Sequence, residues 1–325
     1  MLSRVADSLY WIARYMERAE DTSGLLHVNF HALLDTNVAD HPEAWAQLIR
    51  ITGQEALFAK HADVASARTV SEFLLWHPKN PDSVVANITR ARENARGVRE
   101  QVTTDMWQHL NRLYFSVRDV NKEAVLRAPH GFFARIRQSS HAFQGITKAT
   151  MPHGEAYEFI ELGTHLERAV QTARIVNIKH GVIAKSPPGG PAEAALLVAL
   201  LKSCGAFEAI RKRESSQLQP QRVAEYLLLD RDFPRAVLFC LDTCLRAVTL
   251  ISGDTGDPQR ALGRLCAQLA FFDHRELHAR PIHELLNPLI YNIEAAGEEI
   301  TRTYFHSRVV ALDAYAVLTA GQQQQ

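Results

Sequence analysis

The sequence has no excess of charge, few cysteines and no long apolar run. Its 325 residues include 36 Lys and Arg against 36 Asp and Glu, so the formal net charge is zero and no broad field of one sign is present to bind nucleic acid or an anionic membrane. The four cysteines form no C-x-x-C pair, which is typical of a protein in a reducing compartment. The longest apolar run, AALLVALL at residues 194–201, is far shorter than the roughly 20 residues that cross a bilayer. We therefore expect a cytoplasmic protein that binds neither nucleic acid nor membranes.

Strand-like alternation is nearly absent, whereas helical periodicity extends through most of the chain. Apolar or small residues recur at alternating spacings of three and four from Leu2 to Leu33, which predicts one long helix with a continuous buried seam. Proline and glycine breakers are few and clustered. The sequence therefore predicts an all-α protein, a multi-helix bundle with mostly short connections. It also predicts a frayed polar tail at residues 321–325 and core positions for Cys240 and Cys244.

Two segments far apart in the chain resemble each other. Residues 9–28 align without gaps on residues 159–178, and the identities are Glu17/Glu167, Arg18/Arg168, Ala19/Ala169 and Thr22/Thr172. Farther along, LLWHPKNPDSV at 74–84 matches LLLDRDFPRAV at 227–237, with Pro81 aligned on Pro234. Collinear matches at nearly one offset indicate an internal repeat. We expect two related helical halves, residues 1–147 and 148–325, packed as one domain with a pseudo-two-fold arrangement.

The repeated acids Glu17 and Glu167 are the leading candidates for a functional site. Since each residue advances about 100° around a helix, Glu17 lies at the edge of the apolar seam, while Arg18 points more nearly away from it. A carboxylate at a helix border is costly to desolvate unless it is paired, so we expect Arg18, Arg168 or another arginine as its partner. One interpretation is a composite catalytic cleft in which the acids transfer protons and the arginines hold an anion. The other is a set of buried ion pairs that fix how the halves dock.

Further charged residues extend the list of candidates. Arg14 and Asp21 lie beside Arg18 on the helix, where a solvated face is favoured. Glu161 and His165 are four residues apart and could form a catalytic acid–base pair, although a routine surface pair is favoured. The cations between Arg211 and Arg235 could receive an acidic peptide or a phosphate, but interleaved acids favour a solvated face. The candidate binding residues are Arg14, Arg18, Glu20, Arg168, Arg211 and Arg235.

Histidine pairs raise the question of a metal. His27 and His31 are four residues apart on the first helix, as metal-ligating pairs often are, and His274 and His278 have the same spacing. Spacing alone fixes no third ligand for the first pair, so ordinary border histidines are favoured there. In the second pair Glu276 stands at the wrong position for the zinc-protease H-E-x-x-H motif, so a metal is not favoured there either. The sequence contains no Gly-rich phosphate loop after a strand and no G-x-S-x-G elbow. We therefore predict no cofactor.

The opening MLSRVADSLYWIARYMERAEDTSGLL resembles the N-terminal signature of the bacterial alpha-E domain family. The resemblance continues in RARENARGVREQV at 90–102, in ELGTHLERAVQTAR and in EYLLLDRDFPRAV. It implies an all-α protein of unknown activity, commonly encoded beside a circularly permuted ATP-grasp protein and a transglutaminase-like protease. The Glu-Arg element of the family corresponds to residues 17–18 and 167–168 of this chain. The second copy departs from the first, since Val170 takes the place of Glu20.

Three functions are compatible with these observations. The preferred one is a helical accessory protein that binds an ATP-grasp amide ligase or its peptide or amino-acid substrate, without a complete active site of its own. The transglutaminase-like protease is a further candidate partner. The alternatives are an enzyme of amide transfer or hydrolysis that uses Glu17 and Glu167, and a helical protein that binds a metal through its histidines.

Overall fold

The computed structural model describes residues 1–35, 42–213 and 218–305, and the tail at 321–325 lies outside them. The described residues form helices and no strand, so the all-α prediction is confirmed. None of these helices is long and apolar enough to cross a membrane. The helices are α1 (Ser3–Asp35), α2 (Pro42–Thr52), α3 (Glu55–Phe58), α4 (Ala67–Trp76), α5 (Val84–Gly97), α6 (Thr104–Arg118), α7 (Lys122–Arg127), α8 (His130–Thr150), α9 (Glu155–Ile183), α10 (Pro191–Ser203), α11 (Phe207–Arg213), α12 (Pro220–Leu229), α13 (Val237–Ser252), α14 (Asp257–Ala270), α15 (Glu276–Ala279) and α16 (Ile282–Tyr304).

The first helix confirms the predicted apolar seam from Val5 to Leu26, whereas Leu2 is exposed and the side chain of Leu33 lies outside the described residues. α1 is a single helix of 33 residues, which corresponds to a length of about 50 Å at 1.5 Å per residue. Its seam residues Leu9, Ile12, Met16 and Leu26 are buried against α5, α8 and α9. Apolar residues spaced three and four apart thus form one buried stripe, as the sequence predicts, and α1 forms one long side of the bundle.

α9 is the most enclosed helix of the described part of the chain. It packs against α1, α13 and α16, and also against α2, α10 and α12. Buried positions run without interruption from Leu162 to Ala173, which is typical of a helix surrounded on all sides. Several of these buried side chains are polar, so they need partners on neighbouring helices.

A glycine brings α1 and α9 unusually close together. A Cβ atom at Gly163 would overlap the backbone carbonyl oxygen of Tyr10 and lie 3.2 Å from Cβ of Ala13. Only glycine leaves room for this approach of two backbones. One turn farther along α9, Glu167 is consequently within reach of the arginines of α1.

The segments that precede α5 and α13 are held by similar side-chain contacts. Asn80 accepts a hydrogen bond from the backbone N–H of Asp82 at 2.9 Å, and Asp230 accepts one from that of Phe233 at 2.7 Å. These are local turns in which a side chain replaces a backbone acceptor. They place Asp82 and Arg235, each directly after a proline, against α1.

All four cysteines are free and buried. The predicted core positions of Cys240 and Cys244 on α13 are confirmed. Burial raises the pKa of the Cys240 thiol to about 12, so this cysteine remains a neutral, unreactive thiol at neutral pH.

Candidate functional site

The two Glu-Arg dipeptides pair with each other across the contact between α1 and α9. Arg168 of α9 donates to both carboxylate oxygens of Glu17, at 2.9 Å each. In the opposite direction, Glu167 of α9 accepts hydrogen bonds from Arg18 at 2.8 Å and from Arg14 at 2.7 Å. Both glutamate side chains are only 1% exposed. These five residues, Arg14, Glu17, Arg18, Glu167 and Arg168, are called the ER cluster below.

Two loop residues extend the ER cluster. Arg18 also pairs with Asp82 at 2.6 Å. Arg235 pairs with Asp21 at 2.6 Å and with Glu20 at 2.6 Å, and its contact with Glu17 is longer at 3.4 Å. Each loop thus brings one charge to α1, an acid before α5 and a base before α13.

Side chains of α8 and α9 complete the hydrogen bonding of the acids. Gln144 of α8 donates to Glu17, and Gln171 of α9 donates to Glu167 at 3.1 Å. The Nε2 atom of His141 lies 3.0 Å from a carboxylate oxygen of Glu20. The two central carboxylates are therefore surrounded by donors, as buried carboxylates require.

The electrostatics distinguish the acids of this region. Burial alone would raise the pKa of Glu167, but Arg18 and Arg14 hold it well below its usual range. Burial would likewise raise the pKa of Glu20, but Arg235 and His141 lower it to about 2. Both side chains are therefore ionised at neutral pH.

Asp21 behaves in the opposite way. Burial, together with the neighbouring charges of Glu17 and Glu20, raises the pKa of Asp21 to about 7, although Arg235 opposes the shift. One of its carboxylate oxygens, Oδ2, is buried and has no hydrogen-bond partner among the described residues. The region contains more carboxylates than arginines, so proton uptake by Asp21 reduces its surplus of negative charge. The carboxylates are Glu17, Glu20, Asp21, Asp82 and Glu167, and the arginines are Arg14, Arg18, Arg168 and Arg235.

The predicted solvated face at Arg14 and Asp21 is wrong. Asp21 is 5% exposed, and the Arg14 guanidinium lies over the ring of Trp11 while it pairs with Glu167. The charged side of α1 is covered by α9 and by the loop that carries Arg235. The apolar pattern of one helix cannot reveal this, because a charged face can be buried by complementary charges from another segment.

Two other candidates do not join the ER cluster. Arg211 is exposed on α11, where its guanidinium lies over the ring of Phe207. His165 is buried and hydrogen-bonded through Nδ1 to the backbone oxygen of Glu161 at 2.9 Å, so the predicted surface pair is wrong. Burial and the charge of Arg168 lower the pKa of His165 to about 3, which leaves it neutral at physiological pH.

The histidines of α1 have a third neighbour that spacing did not show. His130 opens α8, and the ligand atoms of His27, His31 and His130 all lie within 4.8 Å of one another. The pKa of His27 is lowered to about 4, chiefly by burial and further by the nearby His31, Arg137 and His130.

The other histidine pair is arranged differently. His274 is exposed and pairs with Glu225 at 3.0 Å. The side chain of His278 lies outside the described residues.

Two cavities reach the edges of the ER cluster. One, of about 200 Å³, is lined by Arg18, Asp82 and Arg174 among others. The other, of about 660 Å³, is lined by Arg14 and by residues of α16. Neither Glu17 nor Glu167 lines either cavity. The arginines that line them are already engaged by carboxylates, so little positive charge is left to bind an anionic ligand there.

Sequence reasoning missed Asp82, His130, His141 and Gln144. For Asp82 a signal was present, because it follows Pro81 just as Arg235 follows the aligned Pro234. Asp82 and Arg235 carry opposite charges at aligned positions of the repeat. This alignment could have indicated that they pair with the charged residues of the repeated Glu-Arg motif. No comparable signal marks the three α8 residues.

Comparison with known proteins places these residues in a family. A family model named Alpha-E, described as a predicted alpha-helical domain with a conserved ER motif, matches residues 1–305. Two relatives, uncharacterized proteins of Mycobacterium bovis and of Mycobacterium tuberculosis, are each 24% identical over 310 residues, which cover 87% of this chain. The chain spans about a third (33%) of the length of each of these relatives. No solved structure matches the chain significantly.

Proposed function

The chain belongs to the Alpha-E family, and from this premise we propose that it is a helical accessory protein of an amide-ligase system. In this proposal it binds an ATP-grasp ligase, or the peptide or amino-acid substrate of that ligase, and carries no complete active site of its own. The ligase and a transglutaminase-like protease are proposed as partners because the resemblance to the family implies them.

The observation that carries the proposal is the closure of the ER cluster. A general acid or base must come within hydrogen-bond reach of its substrate. Glu17 and Glu167 are each 1% exposed, and arginine and glutamine side chains already donate to their oxygens. Their geometry suits the fixing of one helix against another better than it suits proton transfer. The ligase or its substrate would then bind to the outer surface of the molecule.

The lengths of the relatives support a role beside other protein parts. In the two mycobacterial proteins the matched region is one section of a chain about three times as long. A helical domain that occurs within a longer chain is positioned to work on a neighbouring domain of that chain. We propose the same kind of contact with a neighbouring protein part for the domain described here.

The internal repeat is part of this proposal. The two cross-pairs join residues that are almost equally far apart in sequence, 151 positions for Glu17 and Arg168 and 149 for Arg18 and Glu167. Such an exchange of partners is what two related halves, 1–147 and 148–325, would produce if a pseudo-two-fold axis passed between α1 and α9. Two halves would offer a broad surface for a partner.

The test is a binding and turnover assay with an ATP-grasp amide ligase, the partner that the resemblance to the family implies. We expect the purified chain to form a complex with the ligase in size-exclusion chromatography. We also expect it to raise the rate of amide formation, measured by ADP release and by mass spectrometry of the product. Absence of both the complex and the stimulation would contradict the proposal.

The competing enzyme hypothesis makes a different prediction for Glu17→Gln and Glu167→Gln. If these acids were catalytic, the chain alone would show amide transfer or hydrolysis, and the variants would lose it at an unchanged melting temperature. On our proposal, both variants are mainly less stable. At temperatures where they remain folded, they still bind the ligase.

A further inference from the structure

We propose that His27, His31 and His130 form a zinc site where α1 meets the beginning of α8. This site is independent of the accessory role proposed above. Because His130 is separated from the α1 pair by about a hundred residues, the spacing of His27 and His31 alone could not reveal it.

The distances suit a single metal ion. The Nε2 atoms of His27 and His31 are 2.9 Å apart, and the three ligand atoms lie within 4.8 Å of one another. A tetrahedral Zn²⁺ with Zn–N bonds of 2.0–2.1 Å sets its nitrogen ligands about 3.3 Å apart. Shifts of about 1 Å or less for each ring therefore suffice to complete the site. The ring centroids are already 4.4, 4.7 and 5.5 Å apart.

The helices hold the three rings in place. His27 and His31 are one turn apart on the same face of α1, and His130 is the first residue of α8. The ring of Phe133, one turn later on α8, packs 5.8 Å from that of His27. The ligands thus lie on two packed helices rather than on mobile loops, which is the arrangement that favours a preformed metal site.

An unpartnered ring nitrogen points independently to a ligand. Nδ1 of His130 is buried and has no hydrogen-bond partner in the described protein. A buried polar atom without a partner costs about 1–3 kcal/mol, so it needs either a bound species or a compensating role. In metal sites the second nitrogen of a ligating histidine is commonly hydrogen-bonded to water or a backbone oxygen. A metal ion coordinated by Nδ1 itself would satisfy this atom directly.

The donor set selects the class of metal. Three imidazoles suit Zn²⁺, Cu²⁺ or Ni²⁺, whereas Mg²⁺ and Ca²⁺ require oxygen ligands. Three protein ligands leave the fourth position open, as in catalytic rather than structural zinc sites. His31 is exposed, so solvent reaches this position. Arg137 is close enough to act on His27, and its charge favours an anionic fourth ligand such as hydroxide or a carboxylate.

The experiment is calorimetric titration of the full chain, without an affinity tag, with Zn²⁺ alone. We expect one Zn²⁺ per chain. We also expect His27→Gln, His31→Gln and His130→Gln each to weaken Kd at least about tenfold, because each removes one of three ligands. His283→Gln changes an exposed histidine on α16 and should bind like the wild type. Co²⁺ should give the visible absorption bands of a tetrahedral site, and His31→Gln should lose them.

Folding is controlled separately by circular dichroism and by melting of the metal-free proteins. His31 is exposed, so His31→Gln is expected to keep the melting temperature of the apo wild type even if the other two variants do not. Zn²⁺ should raise the melting temperature of the wild type, since a ligand that binds only the folded state stabilises it, and should not raise that of His31→Gln. Absence of Zn²⁺ binding by the wild type would overturn the proposal. Equal binding by His31→Gln and His283→Gln would overturn it as well.

Discussion

Arg168 and Glu17 form a two-pronged ion pair, with both N–H···O distances at 2.9 Å. Two parallel hydrogen bonds fix orientation as well as distance. Since the matching pair of Arg18 and Glu167 runs in the opposite direction, neither helix can slide along or rotate against the other without breaking both pairs. The ER cluster therefore sets the register between α1 and α9.

Removal of one central carboxylate should destabilise the fold strongly. Glu167→Gln leaves the mostly buried guanidinium groups of Arg14 and Arg18 without their shared anion. Breaking a buried pair in this way costs about 3–5 kcal/mol. We expect a loss of that order in the free energy of unfolding, measured by urea denaturation at pH 7.

The matched control for Glu167→Gln is the same substitution in an exposed pair. Arg68 and Glu123 are each about 60% exposed, and exposed pairs contribute about 0–1 kcal/mol. Glu123→Gln should therefore change the unfolding free energy little. Equal effects of the two substitutions would show that the ER cluster is not a buried clamp.

Asp21→Asn should change the pH dependence of stability. The pKa of Asp21 is raised from 3.8 to about 7 in the folded protein, so the folded state binds more protons than the unfolded state between these values. The stability of the wild type is then lost as the pH rises through this window, by up to about 1.4 kcal/mol for each unit of pKa difference. An asparagine side chain at this position cannot ionise, so the variant gains stability over the wild type from about pH 4 to 7 and keeps a constant advantage above.

The measurement is urea unfolding of both proteins at a series of pH values. Asp63→Asn, which changes an exposed carboxylate in a loop, is the control and should follow the wild-type profile. If the difference in unfolding free energy between Asp21→Asn and the wild type stays the same from pH 4 to pH 8, the raised pKa of Asp21 is contradicted.

Gly163→Ala should separate α1 from α9. The added methyl group would overlap the Tyr10 carbonyl oxygen, which is backbone and cannot swing away. Overpacking of this kind costs about 1–3 kcal/mol. Gly145→Ala on α8 meets nothing within 4 Å and should instead stabilise its helix by about 0.5–1 kcal/mol. Thermal melts of the two variants should therefore shift in opposite directions, and parallel shifts would show that Gly163 is not a point of close approach.

The sequence predicted the helices far better than it predicted their partners. The seam from Leu2 to Leu33 identified α1 because apolar periodicity reports directly which face of a helix is buried. The sequence predicted that Glu17 and Glu167 pair with arginines, but not which arginine pairs with which acid. The choice of Arg168 for Glu17, and of Arg14 beside Arg18, depends on the approach of two helices about 150 residues apart, which no local pattern contains.

The same limit applies to the histidines. Two ligands on one helix are visible as an i,i+4 spacing, but a third ligand contributed by α8 is a tertiary contact. The misassigned face at Arg14 and Asp21 has a related cause. Charged residues on one helix look solvated until the opposite charges that cover them are known.

Cross-pairing also limits how this sequence can change over evolutionary time. Substitution of Glu17 alone removes the main partner of Arg168, and a compensating change would have to arise 151 positions away. The intermediate chain would lose about 3–5 kcal/mol, a large fraction of the roughly 5–15 kcal/mol that usually keeps a protein folded. We therefore expect selection to remove single substitutions at these positions. We expect diverging relatives either to retain both Glu-Arg dipeptides or to lose them together, which gives a physical reason for the conserved ER motif that defines the family.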